Sequence, residues 1–233
     1  MAVCPVLAHP WDVSPTEAKE IQQQLRARAR TEALDYPLAT VAGIDVSVKG
    51  DLSRAAVVLL TYPELVPLYA ATAERPTSFP YVPGLLAFRE GPVVLAALAE
   101  LADRPDVLMF DGQGWAHPRR MGIATHLGVL LDVPSVGCAK SRLCGAHAEP
   151  EQLKGSWTPL TDGNEVIGAV VRTRDNVRPV FVSTGHRADL RTAVQLVLGC
   201  APRYRLPEPI RWAHRVAGGE SVPQGIQAPP SAE

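Results

Sequence analysis

Three carboxylates sit where a folded chain does not ordinarily leave a charge. Asp45 lies inside the apolar run "LATVAGIDVSV" (38–48), between Ile44 and Val46. A charge in such a strand is costly unless it is paired, hydrogen-bonded or bound to a metal. Asp111 ends "DVLMFD" (106–111) and is followed by the turn "GQG", which leaves it accessible at a strand's C-terminal edge, where ligands collect in α/β sheets. Glu90 precedes Gly91-Pro92, near the start of the apolar helix expected over "VVLAALAEL" (93–101). Each acid singly is also suited to capping a helix or pairing with a buried arginine. Together, two acids from adjacent strands and one from a neighbouring helix can converge on a hard cation, because Mg²⁺ takes oxygen ligands and keeps some waters. A carboxylate-held Mg²⁺ suits phosphoryl chemistry, where it lowers the pKa of a water and neutralises a leaving oxygen.

The elements that must position these acids are legible in the pattern. "SPTEAKEIQQQLRARAR" carries Ser14 as N-cap, Pro15 at the first helical position and Glu17 closing a capping box, which predicts a helix to about Arg30. Three β-branched runs follow, at 38–48, 54–65 and 66–74, with "YPEL" as the turn between the last two. Their short connections predict an antiparallel meander. Beyond the helix at 93–101, the strand 106–111 is apolar throughout, as in strands covered on both faces. A helix over 120–132, a strand over 134–139, a hairpin over 164–185 and an amphipathic helix over 186–200 complete the pattern. Strand–helix alternation after a meander predicts an α/β fold, a central mixed β-sheet flanked by helices. The expected organisation is a single domain over 1–217 and a disordered tail over 218–233, where Gly, Pro and Ser dominate.

Composition narrows the class without deciding it. With 233 residues, 46% hydrophobic and 20% charged, the chain reads as an ordinary globular protein. No run approaches a membrane span and no secretory leader is visible, so a cytoplasmic location is the expectation. Cys4, Cys138, Cys144 and Cys200 have no zinc-type spacing and read as free thiols, mostly buried. The net charge of −1 divides into −4 over residues 1–110 and +3 over 111–233. The basic clusters "HPRR", "AKSR" and "RTRDNVR" could therefore form a positive face, although mixed surface charge reads equally well.

The stretches "GIDVSV", "PYVPGLLAFREGP", "DGQGWAHPRRMGIATHLGVLLDVPSVGCAKSRLCG" and "LPEPIRWAHR" resemble, in order, the successive signatures of the Endonuclease V family of deoxyinosine-specific repair nucleases. The resemblance runs from about residue 15 to 215 and implies an RNase H-like fold. It places Asp45 and Asp111 on the family's metal-binding aspartates, Glu90 on the glutamate that completes the acidic cluster, and His214 of "WAHR" on a fourth catalytic position. The cofactor implied is Mg²⁺, with Mn²⁺ expected to substitute. The implied reaction nicks DNA at the second phosphodiester bond 3′ to deoxyinosine, leaving a 3′-hydroxyl and a 5′-phosphate.

In the same resemblance the "PYVPG" loop is the lesion wedge. Tyr81 would insert beside the damaged base, held stiff by Pro80 and Pro83, while Gly84 allows close approach of the backbone. Gly112, Gln113 and Gly114 would line the base pocket, and His117 would stand behind the site residues in support. Lys140 follows the apolar strand at 134–139 and so should reach the same sheet edge as Asp111, which makes it a candidate phosphate contact, with Arg119 and Arg120 as further candidates. Gln113 departs from the family's usual Asp-Gly-His-Gly. It keeps donor and acceptor capacity but cannot titrate near neutral pH. Inosine-containing RNA is an alternative substrate, since DNA and RNA differ at a 2′-hydroxyl that the sequence does not address. A non-catalytic binder is the alternative from another class. A monomer without membrane contact is expected.

Overall fold

In the computed structural model of the chain, residues 3–34 and 37–221 are described. Helix α1 (Pro15–Arg26) opens with the capping box that the sequence predicts: the Ser14 hydroxyl accepts from the Glu17 amide, and the Glu17 carboxylate accepts from the Ser14 amide. It stops four residues short of Arg30, where turn-type bonds from the Arg28 and Ala29 amides close it.

Strands β1 (Thr40–Lys49), β2 (Leu52–Thr61) and β3 (Pro67–Pro76) form the expected antiparallel meander. The chain continues through α2 (Leu86–Ala99), β4 (Val107–Phe110), α3 (Ile123–Leu131) and β5 (Ser135–Ala139). It ends with β6 (Trp157–Asp162), β7 (Glu165–Val171), β8 (Val180–Thr184), α4 (Leu190–Gly199) and α5 (Glu208–Ala217). Among the described residues the strands make one eight-stranded sheet in the order β3-β2-β1-β4-β5-β8-β7-β6. Only the β1–β4 and β4–β5 pairs are parallel. This is the mixed α/β sheet expected, and it is consistent with an RNase H-like fold.

Beyond shifted helix ends, two elements differ from the sequence reading. Helix α2 begins at Leu86, seven residues before the expected start, and carries Pro92 inside it. "EGP" reads as a boundary because proline forfeits an i→i−4 bond, yet the helix runs through it and Glu90 stands on its second turn. Strand β6 is absent from the sequence reading, and it carries Pro159, a residue that disfavours the interior of a sheet. Its place at the sheet's edge removes the objection, because an edge strand has a side on which no amide is needed. The tail expectation falls mostly on residues 222–233, which lie outside the described residues. Gly218, Gly219 and Glu220 are tied back to α5 by their amides.

The central strands are apolar on both faces because both faces are covered. Ala42, Ile44, Leu108 and Phe110 pack with α2 and α3. Val41, Met109, Val136 and Cys138 pack with α4 and α5. Of the four free thiols only Cys138 and Cys200 are buried; Cys4 is exposed. No helix among the described residues is long and apolar enough to cross a membrane.

Gly43 sets how closely α5 approaches the sheet. A Cβ there would lie 2.0 Å from the Pro209 carbonyl oxygen, so no side chain fits unless the helix moves. Gly43→Ala is expected to cost about 2 kcal/mol by overpacking, lowering the thermal midpoint by roughly 4–8 °C. An unchanged midpoint in a calorimetric scan would show that α5 does not rest on this contact.

Candidate active site at the carboxyl edge of the parallel strands

The parallel register decides where the two aspartates meet. Ile44 of β1 pairs with Phe110 of β4, and the Asp111 amide donates to the Ile44 carbonyl at 3.1 Å. The next residue on each strand is an aspartate, so Asp45 and Asp111 emerge side by side at the same edge. Both are well covered, with side chains 13% and 10% exposed. Glu90 approaches from α2. Burial, then the charges of Asp45 and Asp111, push its carboxyl up to about 8, against a smaller opposing effect of Arg89. Burial also raises Asp111, assisted by Asp45 and opposed by its hydrogen bond from Lys140.

Each aspartate is partly compensated by a side chain from elsewhere. Asp45 Oδ1 accepts from the Val46 amide at 2.9 Å, and Oδ2 meets His214 Nδ1 at 2.7 Å. His214 sits on α5 and remains 68% exposed. The Lys140 ammonium, just beyond β5, contacts Asp111 Oδ2. With these oxygens so engaged, no group of three or more His, Cys, Asp or Glu side chains among the described residues forms a ready metal cage. The three acids that the sequence singles out, Asp45, Glu90 and Asp111, are electrostatic neighbours here, with Lys140 and His214 standing among them. The donor chemistry nevertheless fits a hard divalent cation. The donors are all oxygen, and burial first, then the neighbouring acid charges, raises Glu90 and Asp111, an excess of buried acid that a cation would relieve.

On the α2–α3 side of this edge lies a cavity of about 290 Å³, lined by Tyr81, Gly84, Asp111, Gly112, Gln113 and Lys140 among others. Its size suits one flat heterocycle. Val82–Leu85 form a turn in which the Leu85 amide donates to the Val82 carbonyl at 2.9 Å, with Pro83 second and Gly84 third at φ +80°. These are the residues that a type II turn requires. Upstream, Phe79 is buried against Ala18, Leu85 and Phe88, and its carbonyl accepts from Arg89 at 3.0 Å. Tyr81, between the two anchors, projects with 71% of its surface exposed. Pro80 and Gly114 do not line the cavity. Gly114 lies beneath it, where a Cβ would sit 2.1 Å from the Thr184 carbonyl.

The Gly84 carbonyl is the loop's hanger. It receives Gln22 Nε2 at 3.1 Å, His117 Nε2 at 2.9 Å and Arg119 Nη2 at 2.7 Å. Gln22 is buried and also accepts from Arg119 Nε at 2.6 Å. The sequence reading missed Gln22; its one signal is the helical i, i+4 spacing from the buried Ala18. Arg119 and Arg120 are not free for phosphate as expected. Arg119 braces this turn, and the buried Arg120 pairs with Asp162 and Glu165. Gln113 donates to the Ser141 carbonyl at 2.9 Å, tying the "GQG" turn to the segment after β5.

Comparison with known proteins fits this geometry. The sequence model of Endonuclease V matches residues 19–215. The chain belongs to the Endonuclease V family. It is 54% identical over 215 residues to Endonuclease V of Roseiflexus sp. strain RS-1, covering 92% of this chain and 97% of that one. The crystal structure of Endonuclease V from Streptomyces avermitilis superposes with a TM-score of 0.86 at 41% identity, covering 94% and 96% of the two chains. Endonuclease V of Ciona intestinalis, in complex with a 24mer DNA containing an inosine followed by a ribo-adenosine, gives 0.75 at 31% identity, covering 87% and 95%. Family membership at this identity and coverage makes the chain a nuclease, a hydrolase of the DNA-repair class.

The hanger carries a pH signature. Burial above all, and the neighbouring arginines, depress His117 to about 4, against its bond to Gly84. Neutral His117 donates from Nε2, while Nδ1 accepts from the Arg119 amide at 3.1 Å. A folded pKa below the unfolded value means stability present above about 6.5 and lost as the pH falls toward 4, roughly 3 kcal/mol in full. Glu90 titrates with the opposite sign, so the difference between wild type and His117→Gln isolates the histidine. Melting curves between pH 7.5 and 4.5 are expected to fall less steeply for His117→Gln; parallel curves would overturn the assignment.

Proposed function

We propose that the chain is a Mg²⁺-dependent endonuclease that nicks DNA at the second phosphodiester bond 3′ to deoxyinosine, leaving a 3′-hydroxyl and a 5′-phosphate. The observation that carries this reading is the pairing of Asp45 and Asp111 at a sheet edge that borders a base-sized cavity topped by an exposed tyrosine. Endonuclease V enzymes are in general metal-dependent, and Asp45, Glu90 and Asp111 are the residues that would hold the ion here. Bound there, Mg²⁺ (or Mn²⁺) supplies Lewis acidity and neutralises charge on the phosphate.

The chain's own side chains do the rest. Hydrolysis is in-line attack of water on phosphorus with O3′ leaving. His214, held at Nδ1 by Asp45, presents its other ring nitrogen to the water and its proton. Lys140, next to Asp111, offers its ammonium to the phosphate. Tyr81 stacks in the gap left by the rotated base, and hypoxanthine is favoured because a weakly paired base costs least to extrude. Gly84, Gly112 and Gln113 line the cavity that receives it. We assign the activity to one domain, residues 1–217, acting as a cytoplasmic monomer.

A second reading, cutting at a ribonucleotide beside inosine, draws support from the ribo-adenosine in the DNA bound to the Ciona enzyme. A purely binding role is disfavoured by the concentration of buried acid beside the phosphate path.

End-labelled DNA and RNA duplexes with one inosine, incubated with Mg²⁺ or EDTA, test the reading. A metal-dependent nick in the DNA on the 3′ side is expected; cutting of RNA alone would move the substrate to RNA, and no cut in either would refute the enzyme. Asp45→Ala and Asp111→Ala should each lower the rate at least about 10³-fold, several kcal/mol of barrier, without unfolding the chain. Tyr81→Ala should weaken binding of inosine duplex about 5- to 100-fold, the range of one base–aromatic stack. Unchanged preference for inosine over undamaged duplex would sink the wedge.

A further inference from the structure

The two faces of the sheet present different surfaces at the edge where Asp45 and Asp111 emerge. The base-sized cavity lies on the α2–α3 side. On the other side, the connection from α4 to α5 carries a cluster of arginines that neither the carboxylates nor the cavity uses. Arg205 gathers it. Its Nη2 donates to the carbonyls of Lys140 at 2.8 Å and Pro179 at 2.9 Å, and its Nε donates to that of Arg178 at 2.9 Å. One guanidinium therefore locks the Lys140 backbone, the entry to β8 and the α4–α5 connection together.

Three cations stand around this lock. Arg178 and Arg203 are exposed, and neither has a carboxylate partner among the described residues. Arg203 lies 5.6 Å from the Tyr204 ring centroid, and Arg211 covers the same ring at 3.5 Å. Arg211 is one helical turn before His214 on α5, so the ledge reaches from Lys140 beside Asp111 to the helix that holds Asp45. Two exposed guanidiniums without a carboxylate partner, Arg178 and Arg203, beside a third that stacks on Tyr204 and pairs with Glu208 at 3.5 Å, are suited to a phosphodiester backbone, through bidentate charge-assisted bonds and stacking.

We propose that this ledge binds the strand on the 3′ side of the cut. The base enters the cavity on one face, the backbone crosses the sheet's edge over Asp111 and Asp45, and the downstream phosphates lie on Arg178, Arg203 and Arg211. The proposal rests on the reading that cleavage is 3′ to inosine, and it gives that offset a structural origin. The scissile bond lies over the edge, beyond the face that holds the base.

Binding of inosine duplexes by the full chain in EDTA, measured by anisotropy across a salt series, tests it without requiring turnover. Arg178→Ala with Arg203→Ala should make the slope of log K against log salt shallower by roughly 1.8, two phosphate contacts' worth. Arg191→Ala, an exposed arginine of α4 at the other end of β8, should leave the slope unchanged. Trimming nucleotides 3′ of the cut should weaken wild type and spare the double variant, whereas trimming the 5′ side should weaken both alike. An unchanged slope, or a loss that follows the 5′ side, overturns the ledge. If those binding results hold but wild type nicks no inosine DNA, the cleavage reading falls and the ledge stands. If nicking is intact and the slope is unchanged, the ledge alone falls.

Discussion

The parallel register between β1 and β4 is the constraint on which the rest of the site depends. It places two aspartates on neighbouring strands one residue beyond the pair Ile44–Phe110, where their charges have no choice but to interact. Burial, reinforced by the charge of Asp45, raises Asp111, and the same two effects together with Asp111 raise Glu90 on α2. The fold tolerates this by bringing up Lys140 and His214. An arrangement that costs stability and is kept at a sheet edge, open to a cavity, is best understood through the cation it can accept and the phosphate that cation can bring.

Everything else serves to deliver side chains to that edge from the two faces. On one face, Gly43 lets α5 approach until His214 reaches Asp45. On the other, α1 and the segment after "GQG" suspend the Tyr81 loop from the Gly84 carbonyl. Three donors meet that carbonyl, so the loop's shape is fixed before a substrate arrives and little entropy is lost when it engages one. The tyrosine left exposed at its tip is the part that pays for nothing in the folded chain, which marks it as a contact surface.

Much of this was legible in the sequence because it depends on local chemistry. The capping box of α1, the meander and the apolar strand ending in Asp111 all appear where periodicity and turn residues place them. What the sequence concealed depends on tertiary partners. Pro92 sits inside α2, and Pro159 sits in an edge strand whose location no local pattern reveals. Arg119 and Arg120 look like surface charge until Gln22, Asp162 and Glu165 are seen against them. The Arg205 lock is likewise invisible, since its three acceptors are backbone carbonyls from two other segments.

We propose that the carboxylates at this edge are a cation site, with Lys140 and His214 holding Asp111 and Asp45 in the free chain. Calorimetric titration of Mg²⁺ into the full chain, wild type against Asp111→Asn, tests it most directly. Saturable binding in wild type that is lost in the variant, with the fold intact in both, is the predicted result. No saturable binding in wild type, or equal binding in both, would contradict the account.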